Sequence, residues 1–68
     1  MIDTNKLRGA IVENGLSQRE VAKQLGITDK TFYDKMKKGV FSSAEIDTMI
    51  EILSIKDPLR IFFAQHVS

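Results

Sequence analysis

Two helix starts crowd into the stretch from Leu16 to Gly39, and they leave the chain little choice of architecture there. Ser17 and Thr28 each stand just ahead of a run with helical periodicity. At such a place a hydroxyl oxygen can accept a hydrogen bond from an otherwise unpaired backbone amide. Ser17 with Glu20 three residues on forms a capping box, in which each side chain bonds the other residue's amide. A cap of this kind contributes roughly 1 kcal/mol. Gly26 lies between the two runs, where the first helix must stop. A helix end commonly needs a left-handed residue, and glycine takes that conformation without strain. The stretch therefore predicts two short helices joined by a tight turn.

Position by position, this stretch resembles the helix-turn-helix of the phage Cro and repressor superfamily. Gln18 opens the first helix, small Ala22 stands where the two helices cross, and Gly26 makes the turn. Leu25, Ile27 and Phe32 occupy the apolar positions around them. The match is close from Leu16 to Gly39 and looser over most of the remaining chain. It implies an all-α fold of five short helices, a lambda-repressor-like DNA-binding domain with the motif at 17–38. Lys35 departs from the pattern, since many members carry an aromatic or β-branched core residue there. Met36, four residues after Phe32, takes the apolar role instead. The departure bears on the tilt of the second motif helix.

The flanking helices follow from periodicity. Thr4 to Glu13 predicts a first helix with Leu7, Ala10 and Ile11 on one face, capped by Asp3 or Thr4. Gly9 within it costs up to ~1 kcal/mol against alanine. It either admits a neighbouring helix or is merely tolerated. Asn14-Gly15 ends the helix, and Leu16 can staple against Val21. Beyond the motif, Val40-Phe41 reads as an apolar link belonging to the core. Ser42 and Glu45 form a second capping box ahead of Ile46, Met49, Ile50 and Leu53, an amphipathic pattern. Asp57-Pro58 reads as a cap with proline at the first helical position. The helix behind it is expected to run to about Gln65, carrying Leu59, Ile61, Phe62 and Phe63.

Composition narrows the function classes. At 68 residues the chain reads as one domain. Chains this short bury only about 60% of their unfolded surface, so good packing or oligomerisation must supply stability. There is no cysteine, hence no disulfide framework, and His66 alone makes no metal site. No cofactor is expected. No run approaches the ~20 apolar residues of a membrane span. The segment from Met1 to Asn5 lacks a signal-peptide pattern, so a cytoplasmic protein with no membrane partner is the expectation. The net charge of +1 is weak for a nucleic-acid binder. Its distribution matters more, because Lys30, Lys35, Lys37 and Lys38 share the second motif helix with Asp34. That is a local basic edge, or simply a solvated lysine-rich face.

The resemblance assigns the second motif helix to the DNA major groove, its N-terminal end and outer face toward base edges. With Phe32 and Met36 turned inward, Asp29, Lys30, Tyr33, Asp34 and Lys37 fall outside. By position, Thr28, Asp29, Lys30 and Asp34 take the base-reading places, and Gln18 anchors the first motif helix to a phosphate while buttressing the reader. Lys30 can donate to guanine O6 and N7, and Asp29 or Asp34 can accept from cytosine N4. Thr28 can touch a phosphate or a thymine methyl, and Tyr33 a methyl or a phosphate. The acids should face bases or pair with Lys30 and Lys37. The plain alternative for them is surface pairing at helical spacing. Lys37 and Lys38 suit phosphates, as do Ser17 and Gln18 at a helix N-terminus, with Arg19 and Lys23 assisting.

One such domain reads only a few base pairs, and members of the superfamily it resembles usually bind as symmetric dimers, so the resemblance implies a homodimer on a palindromic operator. The segment 57–68 is the expected dimer surface. Leu59 and one phenylalanine can close the core, but Ile61, Phe62, Phe63 and Val67 cannot all face inward on so short a helix. The interface is therefore assigned to Leu59, Ile61, Phe62, Phe63 and Val67. The other reading has the tail folded over the bundle with both phenylalanines in the core. The expectation is a small Cro-like transcriptional repressor of phage or mobile-element origin, acting on a double-stranded DNA operator. A rival of another class is an antirepressor or modulator that binds a larger repressor through its apolar C-terminal segment. No enzyme is expected, because His66 has no catalytic partner at a diagnostic spacing and no glycine-rich phosphate loop exists.

Overall fold

A computed structural model describes residues 2–63, and within them the chain forms helices and no strand. The helices are α1 (Thr4–Glu13), α2 (Gln18–Leu25), α3 (Asp29–Lys38), α4 (Ser43–Ile52) and α5 (Pro58–Phe62). The first four begin at the caps the sequence marks. Asp3 accepts from the Lys6 amide at 3.1 Å, and it, rather than Thr4, caps α1. Ser17 and Ser42 each complete a capping box, with Glu20 and Glu45 respectively. Thr28 caps α3 through the Thr31 amide.

The ends of α1, α2, α3 and α4 share one device. At Gly26 (φ 74°) the amides of Gly26 and Ile27 bond back to the carbonyls of Lys23 and Ala22, both at 3.1 Å. This is the Schellman arrangement, which satisfies two carbonyls the helix would otherwise leave open. The same closure ends α1 at Gly15 and α3 at Gly39. It also ends α4, but there the left-handed residue is Ser54, at φ 49°. The Ile55 amide reaches the Ile50 carbonyl at 3.0 Å and the Ser54 amide the Glu51 carbonyl at 3.3 Å.

α2 lies at the centre of the packing, against α1, α3 and α4, and α5 returns to α1. The core joins Leu7 and Ile11 of α1, Val21 and Ala22 of α2, Phe32 and Met36 of α3, Met49 and Leu53 of α4, and Phe62 of α5. Ala22 is fully buried, so the small residue stands where α2 meets its neighbours. Phe41 enters from the α3–α4 link and meets Phe32, ring centroids 5.5 Å apart. Leu16 is half-buried and packs against this core cluster. Asn14 Nδ2 donates to the carbonyls of Ala10 (2.7 Å) and Leu53 (3.0 Å), tying the end of α1 to the end of α4.

Several expectations need correction. Val40 is 63% exposed, since only one residue of the link can enter the core once Gly39 has turned the chain, and Phe41 takes that place. A Cβ built on Gly9 would meet nothing within 4 Å, so this glycine admits no close neighbour and is only tolerated. Asp57 makes no cap. Its carboxylate pairs with Arg60 Nε at 2.8 Å instead. α5 ends at Phe62, short of the expected length. The Ile61 carbonyl, which a further turn would use, accepts from the Asp3 amide at 2.7 Å. Gln65 lies outside the described residues.

Candidate nucleic-acid interface

The buried stripe of α3 fixes what its other side presents. Phe32 and Met36 are 1% and 2% exposed, so the residues half a turn away face solvent. Lys30, Asp34, Lys37 and Lys38 form that outer face, and all are exposed. Asp29 and Tyr33 lie at its edge nearest the start of α2, where Gln18, Arg19, Asp29, Phe32 and Tyr33 line one shallow depression. Gln18 is half-buried in it, and Tyr33 keeps 61% of its surface open. The structure thus brings together the start of α2 and the first turn of α3.

One of the four lysines expected on the basic edge is committed elsewhere. Lys35 does not join the basic edge. Its Nζ donates to both carboxylate oxygens of Glu45, at 2.7 and 2.6 Å, on the side of α3 that faces α4. The exposed lysines of α3 are therefore Lys30, Lys37 and Lys38. Burial of Glu45 raises its affinity for a proton, but the Lys35 hydrogen bonds, the Ser42 amide and hydroxyl, and the Lys35 charge outweigh this. The carboxyl is held below its ordinary range.

The acids also differ from expectation. Asp29 pairs with neither Lys30 nor Lys37. Its Oδ2 faces Arg19 Nε at 3.4 Å, an ion pair joining α3 to α2. The other ion pairs among the described residues are Lys35–Glu45 and Arg60–Asp57, so Asp34 takes part in none.

The hydroxyl groups are partly committed. Thr28 Oγ1 accepts from the Thr31 amide at 3.2 Å and donates to Thr31 Oγ1 at 2.9 Å. The proton left to offer on this pair is that of Thr31, a residue the motif match does not single out. Ser17 uses its amide on Glu20 Oε1 at 3.0 Å, so only its hydroxyl hydrogen remains for an incoming anion. Arg19 and Lys23 are exposed on α2.

The C-terminal set divides. Leu59 and Phe63 are exposed, at 57% and 42%, and Ile61 is half-buried. Phe62 is 3% exposed and belongs to the core, so it is not available to a partner as expected. Leu59, expected to help close the core, faces outward in its place. One turn of helix can bury one side only, and α5 turns Phe62 toward α1. Val67 and His66 lie outside the described residues.

Among the described residues no group of acidic and histidine side chains could hold a metal ion. No described helix is long and apolar enough to cross a membrane. Comparison of the chain with protein-family models, with curated proteins and with solved structures finds no match. The chemistry of the α2–α3 face is thus the ground on which a function can be assigned.

Proposed function

We propose that the chain is a sequence-specific DNA-binding regulator of transcription, a Cro-like repressor that lays α3 in the major groove of a palindromic operator. The observation that carries this reading is the division of α3. Phe32 and Met36 are buried, while Asp29, Lys30, Tyr33, Asp34, Lys37 and Lys38 are exposed on a short helix backed by α2. A major groove admits one α-helix, whose outward side chains then meet base edges. Lys30 donates to guanine, and Lys37 and Lys38 meet phosphates at the far end. Four to six phosphate contacts, with Ser17 and Gln18 included, give a log–log salt slope of about −4 to −5. Such binding is strongly salt-dependent despite the near-neutral chain.

A homodimer would set two such helices on half-sites about one helical turn apart. Leu59 and Phe63 are the exposed apolar groups that could join two copies. The working compartment is the cytoplasm, where an operator is accessible. Selection from a random duplex pool at low salt tests the reading. It expects a two-fold symmetric sequence to be enriched. No enrichment by the folded protein would remove it.

The exposure of Leu59 and Phe63 also favours a second reading, an antirepressor or modulator that docks a larger repressor protein through α5. In that case Lys30→Ala and Lys37→Ala are silent, whereas Phe63→Asp abolishes binding to the repressor.

A further inference from the structure

We infer that Arg19 and Asp29 act as one reading unit that selects cytosine, with Arg19 clamping a backbone phosphate and Asp29 accepting from the base. This rests on the DNA-reading function proposed above and specifies one base contact within it. Arg19 is the second residue of α2 and Asp29 the first of α3, so their contact bridges the two helices at the mouth of the proposed reading face. Their closest approach is 3.4 Å, and their side chains are 84% and 62% exposed. That is longer than the 2.7–3.2 Å of a direct N–H···O hydrogen bond. A guanidinium carries five donors and a carboxylate about four acceptor sites, so one loose contact saturates neither. Both groups can take a further partner without letting go of each other.

Electrostatics requires the pairing. A lone carboxylate carried into a groove walled by phosphates is repelled from both sides. Arg19 supplies the compensating charge at the point of entry, and the phosphate can share the same guanidinium. Asp29, ionised, can only accept. Guanine presents two acceptors in the major groove, thymine presents one, and adenine sets N7 beside its amino group. Cytosine is the one base whose own major-groove edge offers a donor, N4, and no acceptor. Gln18 and Tyr33 line the same depression as the pair.

The test is selection from a random duplex pool with the full chain and with Asp29→Ala, Arg19→Ala and the double variant, followed by affinities for the selected duplex. Both side chains are exposed, so unchanged thermal melting verifies the fold of each variant. The full chain should select cytosine at one position of each half-site. Asp29→Ala should lose that preference, by roughly 5- to 100-fold, and no other. Arg19→Ala should weaken binding and blur the same position, and its effect should shrink once Asp29 is gone. Unchanged base preferences in Asp29→Ala, or independent effects of the two substitutions, would overturn the reading unit and leave DNA binding standing. Failure of the full chain to bind any duplex would overturn both.

Discussion

Lys35 Nζ holds both carboxylate oxygens of Glu45, at 2.7 and 2.6 Å, and so fastens α3 to α4. Glu45 serves twice, since its Oε1 also accepts from the Ser42 amide at 2.8 Å and completes the cap of α4. The residue that breaks the apolar pattern of α3 is therefore a tie, and it sets the helix against α4 by charge. Removing the lysine leaves a largely buried carboxylate short of its strongest donor. Charged hydrogen bonds of this kind contribute about 1–3 kcal/mol, so Lys35→Ala should destabilise by that order in urea unfolding. Loss of DNA binding at a fixed folded fraction should be smaller than for Lys30→Ala or Lys37→Ala.

The same pair predicts a pH dependence. The folded state holds the Glu45 carboxyl below its ordinary range, so the unfolded chain binds more protons as the pH falls. The stability it confers is complete above the ordinary glutamate value of about 4.3, and it is lost as the pH drops from there through the folded value. Glu45→Gln should lower stability at neutral pH and flatten the acid side of the stability curve. Melting temperatures across that range give the comparison. An acid limb unchanged by the substitution would contradict the assignment.

Two glycines should respond in opposite directions to alanine. Gly9 is inside α1 at an ordinary helical φ, and a Cβ there meets nothing. Gly9→Ala should stabilise by about 0.5–1 kcal/mol. Gly26 has φ 74° at the end of α2, so Gly26→Ala should destabilise by about 1 kcal/mol through backbone strain, although space for the methyl exists. Denaturant midpoints measure both.

Ser54 holds the left-handed position that glycine fills at the other three closures, with φ 49°. Relief of that strain by Ser54→Gly should stabilise by up to about 1 kcal/mol, offset in part by the greater freedom of glycine in the unfolded chain. A measured loss of stability would mean that the serine side chain supports the turn.

Much of this was legible in the sequence because the signals were local. Capping boxes at Ser17 and Ser42, and the glycines after Leu25 and Lys38, mark helix limits within a few residues of the groups that enforce them. What depends on distant contacts was not legible. The end of α5 is set by a bond from Asp3, far away in the chain, and nothing near Phe63 announces it. Val40 and Phe41 compete for one core place, and the Phe32 ring decides between them. The Arg19–Asp29 pair exists only because α2 and α3 pack as they do, so residue types alone suggested Lys30 and Lys37 as partners for the acid. Ser54 gives no warning either, because serine is not a usual left-handed residue.

The two phenylalanines at the end of α5 separate fold from assembly. Phe62→Asp places a charge in the core and should unfold the chain. Phe63→Asp should leave the helical fold of the single chain intact by circular dichroism, since Phe63 is exposed. If Leu59 and Phe63 join two copies, Phe63→Asp should convert a dimer to a monomer in sedimentation equilibrium. A monomeric parent chain would exclude that role.

Contact between DNA and the face built from the start of α2 and the outer side of α3 can be read directly by NMR. Nonspecific binding suffices to test it, since affinities of roughly 10⁻⁴–10⁻⁶ M register in a titration. Amide chemical shifts of the labelled protein would be followed as a mixed-sequence duplex is added at low salt. Shifts should concentrate at Ser17, Gln18, Arg19 and from Thr28 to Lys38, fading as salt is raised. No shifts, or shifts confined to α5, would contradict that contact.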